Sequence, residues 1–284
     1  MAMSQHNHKT GLQVVTLLSV MLLFTLLALI PMSLFSRPGV NQWRLLMVMT
    51  VIQNVGIFII PAFITARIFN NGRTLKTLCL SSAPEWRHVG MLLLIYAASI
   101  PMMNAIVAWN EGMKLPEAMS GIEQWLRAHE DAASLATEQM MNITTVGQLV
   151  VAIIAVGILT GMGEELIFRG SLQRLMTERG VNIHVAIWVT AVIFSAVHMQ
   201  FYGFVPRLLL GAYFGYLAVW SGSLWVPILA HALNNSIAVA AYYNTEMETM
   251  PWIGEDPAAA TIIVSTVITA ALLYVYLKYM RVKE

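Results

Sequence analysis

Apolar runs of membrane-crossing length recur eight times along this chain and leave it few ways to fold. They lie at about 12–35, 43–68, 88–109, 146–169, 184–203, 205–221, 224–243 and 258–280. A helix of about 20 apolar residues crosses the hydrocarbon of a bilayer. Only 11% of the 284 residues are charged, where soluble domains carry about 25%. A soluble globule would need far more charge on its surface. The predicted fold class is therefore all-α, a polytopic transmembrane helical bundle of about eight spans. The net charge of +1 says little about nucleic acid, but no basic, aromatic-laced patch occurs and no nucleic-acid partner is expected. The single Cys79 excludes an internal disulfide framework and a CxxC metal site.

Three regions follow. Residues 1–145 hold three spans and a long acidic connection, 146–243 hold four spans, and 244–284 hold an external loop, a last span and a basic tail. The first apolar run is too long for a signal-peptide core and reads as an uncleaved span. Arg67, Arg73, Lys76 and Arg87 mark the second loop; Arg174 and Arg179 follow span four; Lys278, Arg281 and Lys283 end the chain. The connection from Asn110 to Thr145 carries Glu111, Glu117, Glu123, Glu130, Asp131 and Glu138 instead. Basic loops stay cytoplasmic, so both termini are expected inside, in a bacterial inner membrane. Arg37 and Arg44 in the first external loop depart mildly from that bias. Trp43, Trp86, Trp109, Trp220, Trp225 and Trp252 sit near span ends, as interfacial anchors do. Within the acidic connection, Ile122, Trp125 and Leu126 give a short amphipathic pattern suited to a helix on the outer surface.

Against this background, Glu164 and Glu165 stand out as an acidic pair inside an apolar run. A carboxylate at that depth costs several kcal/mol and needs a partner or a chemical purpose. Arg169 lies four residues beyond Glu165, on the same helix face and in the favourable order. Glu164 points about 100° away. One carboxylate is thus neutralised and the other left free. Gly180 and Asn182 signal a turn after span four. With Val181 as pivot, Glu164 lies 17 residues before it and His198 17 after, which brings the two to equal height in an antiparallel pair. His231 and Asn235, four apart on span seven, share a face. All four are expected to converge in the inner half of the bilayer. A desolvated carboxylate becomes a competent base near neutral pH, and Asn and His can donate to an oxyanion. Glu164, His198 and His231 could equally hold Zn²⁺ or another divalent metal with one open position. Both readings stand. Asp131 and Asp256 lie in loops, so an aspartyl dyad is excluded, and neither HExxH nor GxSG occurs.

The stretches Glu164-Glu165-Leu166-Ile167-Phe168-Arg169, Phe194-Ser195-Ala196-Val197-His198 and His231-Ala232-Leu233-Asn234-Asn235 together resemble the CAAX-protease and bacteriocin-processing family of intramembrane endopeptidases. That family carries EExxxR, FxxxH and HxxxN on successive membrane helices, and the resemblance covers about residues 146–243. It implies a peptidase in which Glu164 activates water. His198 would hold that water or a metal, and His231 and Asn235 would stabilise the oxyanion or complete a metal site. Glu165 and Arg169 would support the site, and Phe194 would pack beneath it. The implied partners are membrane proteins or lipid-anchored peptides as substrates. The alternative is a non-proteolytic membrane scaffold or a small proton-coupled transporter, though no second copy of the acidic pair is present, as repeat-built transporters would show.

Overall fold

A computed structural model describes residues 2–35, 41–81, 83–244, 252 and 257–280, with side chains of the first helix described for 11–30. Among them no strand occurs. The long helices are α1 (Ala2–Phe35), α2 (Gln42–Phe69), α3 (Trp86–Glu111), α4 (Ser120–Met140), α5 (Val146–Glu178), α6 (Ile183–Ala196), α7 (Phe204–Ser221), α8 (Trp225–Tyr243) and α9 (Ala259–Tyr279). Apart from α4, each occupies one of the eight apolar runs. Six of the described helices are both long and apolar enough to cross a membrane. The other two depart for different reasons. Helix α6 has only 14 residues and stops at Ala196. Helix α8 has 19, but His231, Asn234 and Asn235 dilute its apolar character.

Local chemistry sets the boundaries. Asn41 caps α2 by accepting from the Arg44 amide, and Thr145 and Gln148 form a reciprocal capping box at the start of α5. Gly180 (φ 81°) and Gly222 (φ 63°) adopt the left-handed conformation that closes α5 and α7. Asn182 then caps α6 by accepting from the His184 amide. In α3, Pro101 is buried within the helix. Its ring cannot donate to the carbonyl of Ala97. The indole N–H of Trp252 takes that carbonyl at 2.8 Å, and Ser265 of α9 donates to the next one, Ala98, at 2.5 Å. The break in α3 thereby becomes its link to α9.

Small residues let the central helices close together, as membrane interfaces require. A Cβ on Gly161 of α5 would lie 2.8 Å from the Ala232 amide nitrogen of α8, and Gly157 one turn earlier sits against Ser236. On the opposite side, Gly211 and Gly215 of α7 expose carbonyls that accept from Arg169 at 2.6 Å and Gln173 at 3.2 Å. Donors four apart on α5 thus meet acceptors four apart on α7. Helix α5 also contains two π-helical stretches, Ile153–Leu159 and Phe168–Gln173, which flank the α-helical turns carrying both glutamates. Such bulges concentrate at functional sites.

Leu12, Leu22, Leu26 and Ile30 of α1 and Ile263 and Val267 of α9 remain exposed, the outward apolar surface expected against lipid. Helix α4 buries no residue and runs against the turn between α6 and α7. Its Glu130 accepts from Gln200 and the Tyr202 amide, and its Arg127 guanidinium lies 4.0 Å above the Tyr202 ring. The amphipathic pattern around Trp125 thus belongs to a 21-residue helix, much longer than the sequence pattern indicates.

Replacing Gly161 by Val should push α8 off α5. Overpacking of this kind costs about 1–3 kcal/mol, and a thermal melt of the detergent-purified protein should register the loss. Gly121→Val on α4, where a new Cβ would meet nothing within 4 Å, serves as the neutral control.

Candidate active site

The site begins with a fully buried ion pair. Arg169 Nη1 donates to Glu165 Oε1 at 2.7 Å, and neither side chain is exposed to solvent. Its second terminal nitrogen reaches the Gly211 carbonyl, and the guanidinium lies 4.9 Å from the Phe194 ring centre and 5.5 Å from that of Phe214. The cation is thereby held by a carboxylate, a carbonyl and two aromatic faces. The i, i+4 spacing predicted the Arg169–Glu165 contact. It did not predict that Glu165 also binds His231.

His231 connects the two glutamates. Its Nδ1 lies 2.8 Å from Glu165 Oε1, and its Nε2 lies 3.6 Å from Glu164 Oε2. A carboxylate oxygen with Arg169 beside it is an acceptor, so Nδ1 carries the proton and the ring plane is fixed. Phe214 stacks on the imidazole at 4.8 Å, and Phe194 meets it edge-on at 5.9 Å. Glu164, turned away from the ion pair, faces a cavity of about 390 Å³.

His198, Phe194, Thr160, Arg207, Asn234 and Asn235 share that cavity. His198 follows the end of α6, and its Nδ1 lies 2.8 Å from the Phe194 carbonyl. A carbonyl only accepts, so this nitrogen donates and Nε2 keeps its lone pair. Asn235 donates to the Val156 carbonyl at 3.3 Å and accepts from Asn234 at 3.2 Å. Its amide is anchored to the first π-helical stretch of α5. Thr160 receives a hydrogen bond from Asn54 of α2 at 2.9 Å, so an N-terminal span supports the cavity wall.

Every residue of the three sequence motifs singled out for chemistry lies at this cavity or in the ion pair behind it. Their depth differs from expectation. Glu111, at the end of α3, and Glu130 of α4 also line the cavity. The cavity therefore reaches the end of the bundle that carries the acidic connection, rather than the half nearer the α5–α6 turn. The cause is the short α6, which leaves His198 in a turn facing that end. Arg207, Thr160, Phe214 and Asn234 were not singled out for roles in the sequence. Arg207 alone left a readable signal, a cation in the first turn of an apolar run.

For a metal, the available donors are Glu164 and the Nε2 atoms of His198 and His231, since both Nδ1 atoms are occupied. Among the described residues, no three His, Cys, Asp or Glu side chains are spaced to hold an ion. Glu164, His198 and His231 are therefore the side chains that a divalent ion would need, and all three face the same cavity.

The two glutamates should separate experimentally. Removing one partner of a buried ion pair costs about 3–5 kcal/mol, so Arg169→Met and Glu165→Gln should each lower the melting temperature sharply. Glu164→Gln, at the cavity wall, should melt close to the unsubstituted protein.

Residues 146–237 match the family model described as Type II CAAX prenyl endopeptidase Rce1-like. The uncharacterized protein YpbD of Bacillus subtilis (strain 168) is 28% identical over 89 residues, covering 30% of this chain and 42% of that protein. The aligned part is thus less than half of that relative. No solved structure matches significantly. The matched stretch contains Glu164, Glu165, Arg169, Phe194, His198, His231 and Asn235, and over it this multi-pass membrane chain is similar to the Rce1-like family, a family of peptidases.

Proposed function

We propose that this protein is an intramembrane endopeptidase that hydrolyses peptide bonds of membrane-associated or lipid-anchored substrates with water activated by Glu164. The observation that carries this reading is the division of labour within the acidic pair. Glu165 is bound by Arg169 and His231, whereas Glu164 faces the cavity with one oxygen 3.6 Å from His231. Water held between Glu164 and His198 Nε2 attacks the carbonyl carbon and yields its proton to Glu164. The tetrahedral oxyanion is met by N–H donors from Asn234, Asn235 or a protonated His231. As the C–N bond breaks, Glu164 passes the proton to the leaving amine and returns to its carboxylate form. Glu165 and Arg169 position His231 and do not touch the substrate. Phe194 packs beneath both imidazoles.

Two features extend the reading. With both termini in the cytoplasm, as the basic loops favour, a cavity reaching the acidic connection opens toward the outer face of a bacterial plasma membrane. The described residues supply a base without a metal; if a divalent ion such as Zn²⁺ is recruited, Glu164, His198 and His231 are the residues that would hold it, and it would polarise the water or carbonyl.

The test is cleavage by purified protein of membrane-anchored peptides, with and without a chelator, paired with metal analysis. General-base loss reduces rates by about 10²–10⁴-fold, so Glu164→Gln should lose activity by that order while remaining folded. Undiminished activity in that variant would refute the assignment. Activity abolished by chelator and restored by one metal would replace free carboxylate catalysis with a metal-held water. Dissipation of an ion gradient that depends on Glu164, with no cleavage, would favour the transporter alternative.

A further inference from the structure

The mechanism leaves the cation of the cavity without a role. Arg207 is the only Lys or Arg among the described residues that lines it. Its guanidinium is held in place: Nη2 donates to Gln200 Oε1 at 2.9 Å, and the group lies over Gly203, where a Cβ would come within 3.0 Å of Nη2. Its Nη1 is buried and has no hydrogen-bond partner. A buried donor left unmade costs about 1–3 kcal/mol, more for a charged group.

Neighbouring carboxylates do not pair with that nitrogen. Glu130 is engaged by Gln200 and the Tyr202 amide, and no carboxylate among the described residues approaches Arg207 within ion-pair distance. Gln200 therefore serves both groups, accepting from Arg207 through Oε1 and donating to Glu130 through Nε2. That arrangement fixes a cation in the wall of the same cavity as Glu164 and His198. An oriented guanidinium of this kind matches a carboxylate.

We propose that Arg207 is a specificity-determining residue that binds a carboxylate of the peptide in the catalytic cavity, either its C-terminal carboxylate or an acidic side chain near the bond to be cut. The proposal rests on the peptidase reading, but its test reads binding and needs no turnover. Gln200 and Gly203 are positioning residues for the guanidinium.

The experiment uses full-length Glu164→Gln protein in phosphatidylethanolamine–phosphatidylglycerol nanodiscs, immobilised and exposed to pools of N-dodecanoyl hexapeptides of random sequence. One pool lacks Asp and Glu and ends in an amide; a second differs only in a free C-terminal carboxylate; a third is amidated and carries one Asp. Retained peptides are quantified by mass spectrometry. A charge-assisted hydrogen bond predicts retention of an acidic pool about ten-fold or more above the neutral pool. Preference for the second pool identifies a C-terminal carboxylate, and preference for the third an acidic side chain. Adding Arg207→Gln should level the pools, and Arg207→Lys should restore part of the preference. If Arg207→Gln fails to fold, Gln200→Ala carries the test, because it frees the guanidinium and should weaken the preference. Equal retention of acidic and neutral pools at any level, including none, overturns the proposal, as does an acidic preference that survives Arg207→Gln. A preference that holds while the unsubstituted protein cleaves no pool would overturn the peptidase reading and leave the binding role standing.

Discussion

The architecture depends on a guanidinium enclosed in the centre of a membrane protein. Placed alone among apolar helices, Arg169 would be far too costly to keep. It is tolerable because Glu165, the Gly211 carbonyl and two aromatic rings surround it. Each contact also fixes something else. The Glu165 bond sets the His231 ring, the carbonyl bond ties α5 to α7, and the rings of Phe194 and Phe214 continue onto His231. Electrostatic necessity and site geometry are one arrangement here.

Glycines make that arrangement reachable. Arg169 and Gln173 meet α7 carbonyls only because Gly211 and Gly215 present bare backbone, and α8 approaches α5 only because Gly157 and Gly161 do the same. The family match over 146–237 coincides with this interlocked set of helices. The N-terminal spans enter through contacts such as Asn54 on Thr160, a supporting role for a region that bears no motif of its own.

Much of this was readable in the residues. The apolar runs located the helices, Gly180 and Asn182 marked the turn after α5, and the Glu165–Arg169 spacing foretold the ion pair. Equal offsets around Val181 assumed a helix running through His198; α6 ends at Ala196, yet His198 and Glu164 still line one cavity. What the spacing could not carry was contact between distant stretches. His231 reaches Glu165 across 66 residues, and no local pattern encodes that. The π-helical stretches depend on packing between helices, so periodicity missed them. Nothing local marks the stretch before Pro101 as a junction; the bonds from Trp252 and Ser265 to the Ala97 and Ala98 carbonyls reveal it.

The brevity of α6 has a consequence for the surrounding lipid. Fourteen helical residues reach about 21 Å, whereas the hydrocarbon slab is about 30 Å thick. Such a hydrophobic mismatch is relieved by local thinning of the bilayer or by hydrated polar groups that fill the gap. The turn after Ala196 carries polar groups of this kind, His198 and Gln200. A dent in the membrane at this flank would deliver solvent to a depth where lipid tails otherwise exclude it.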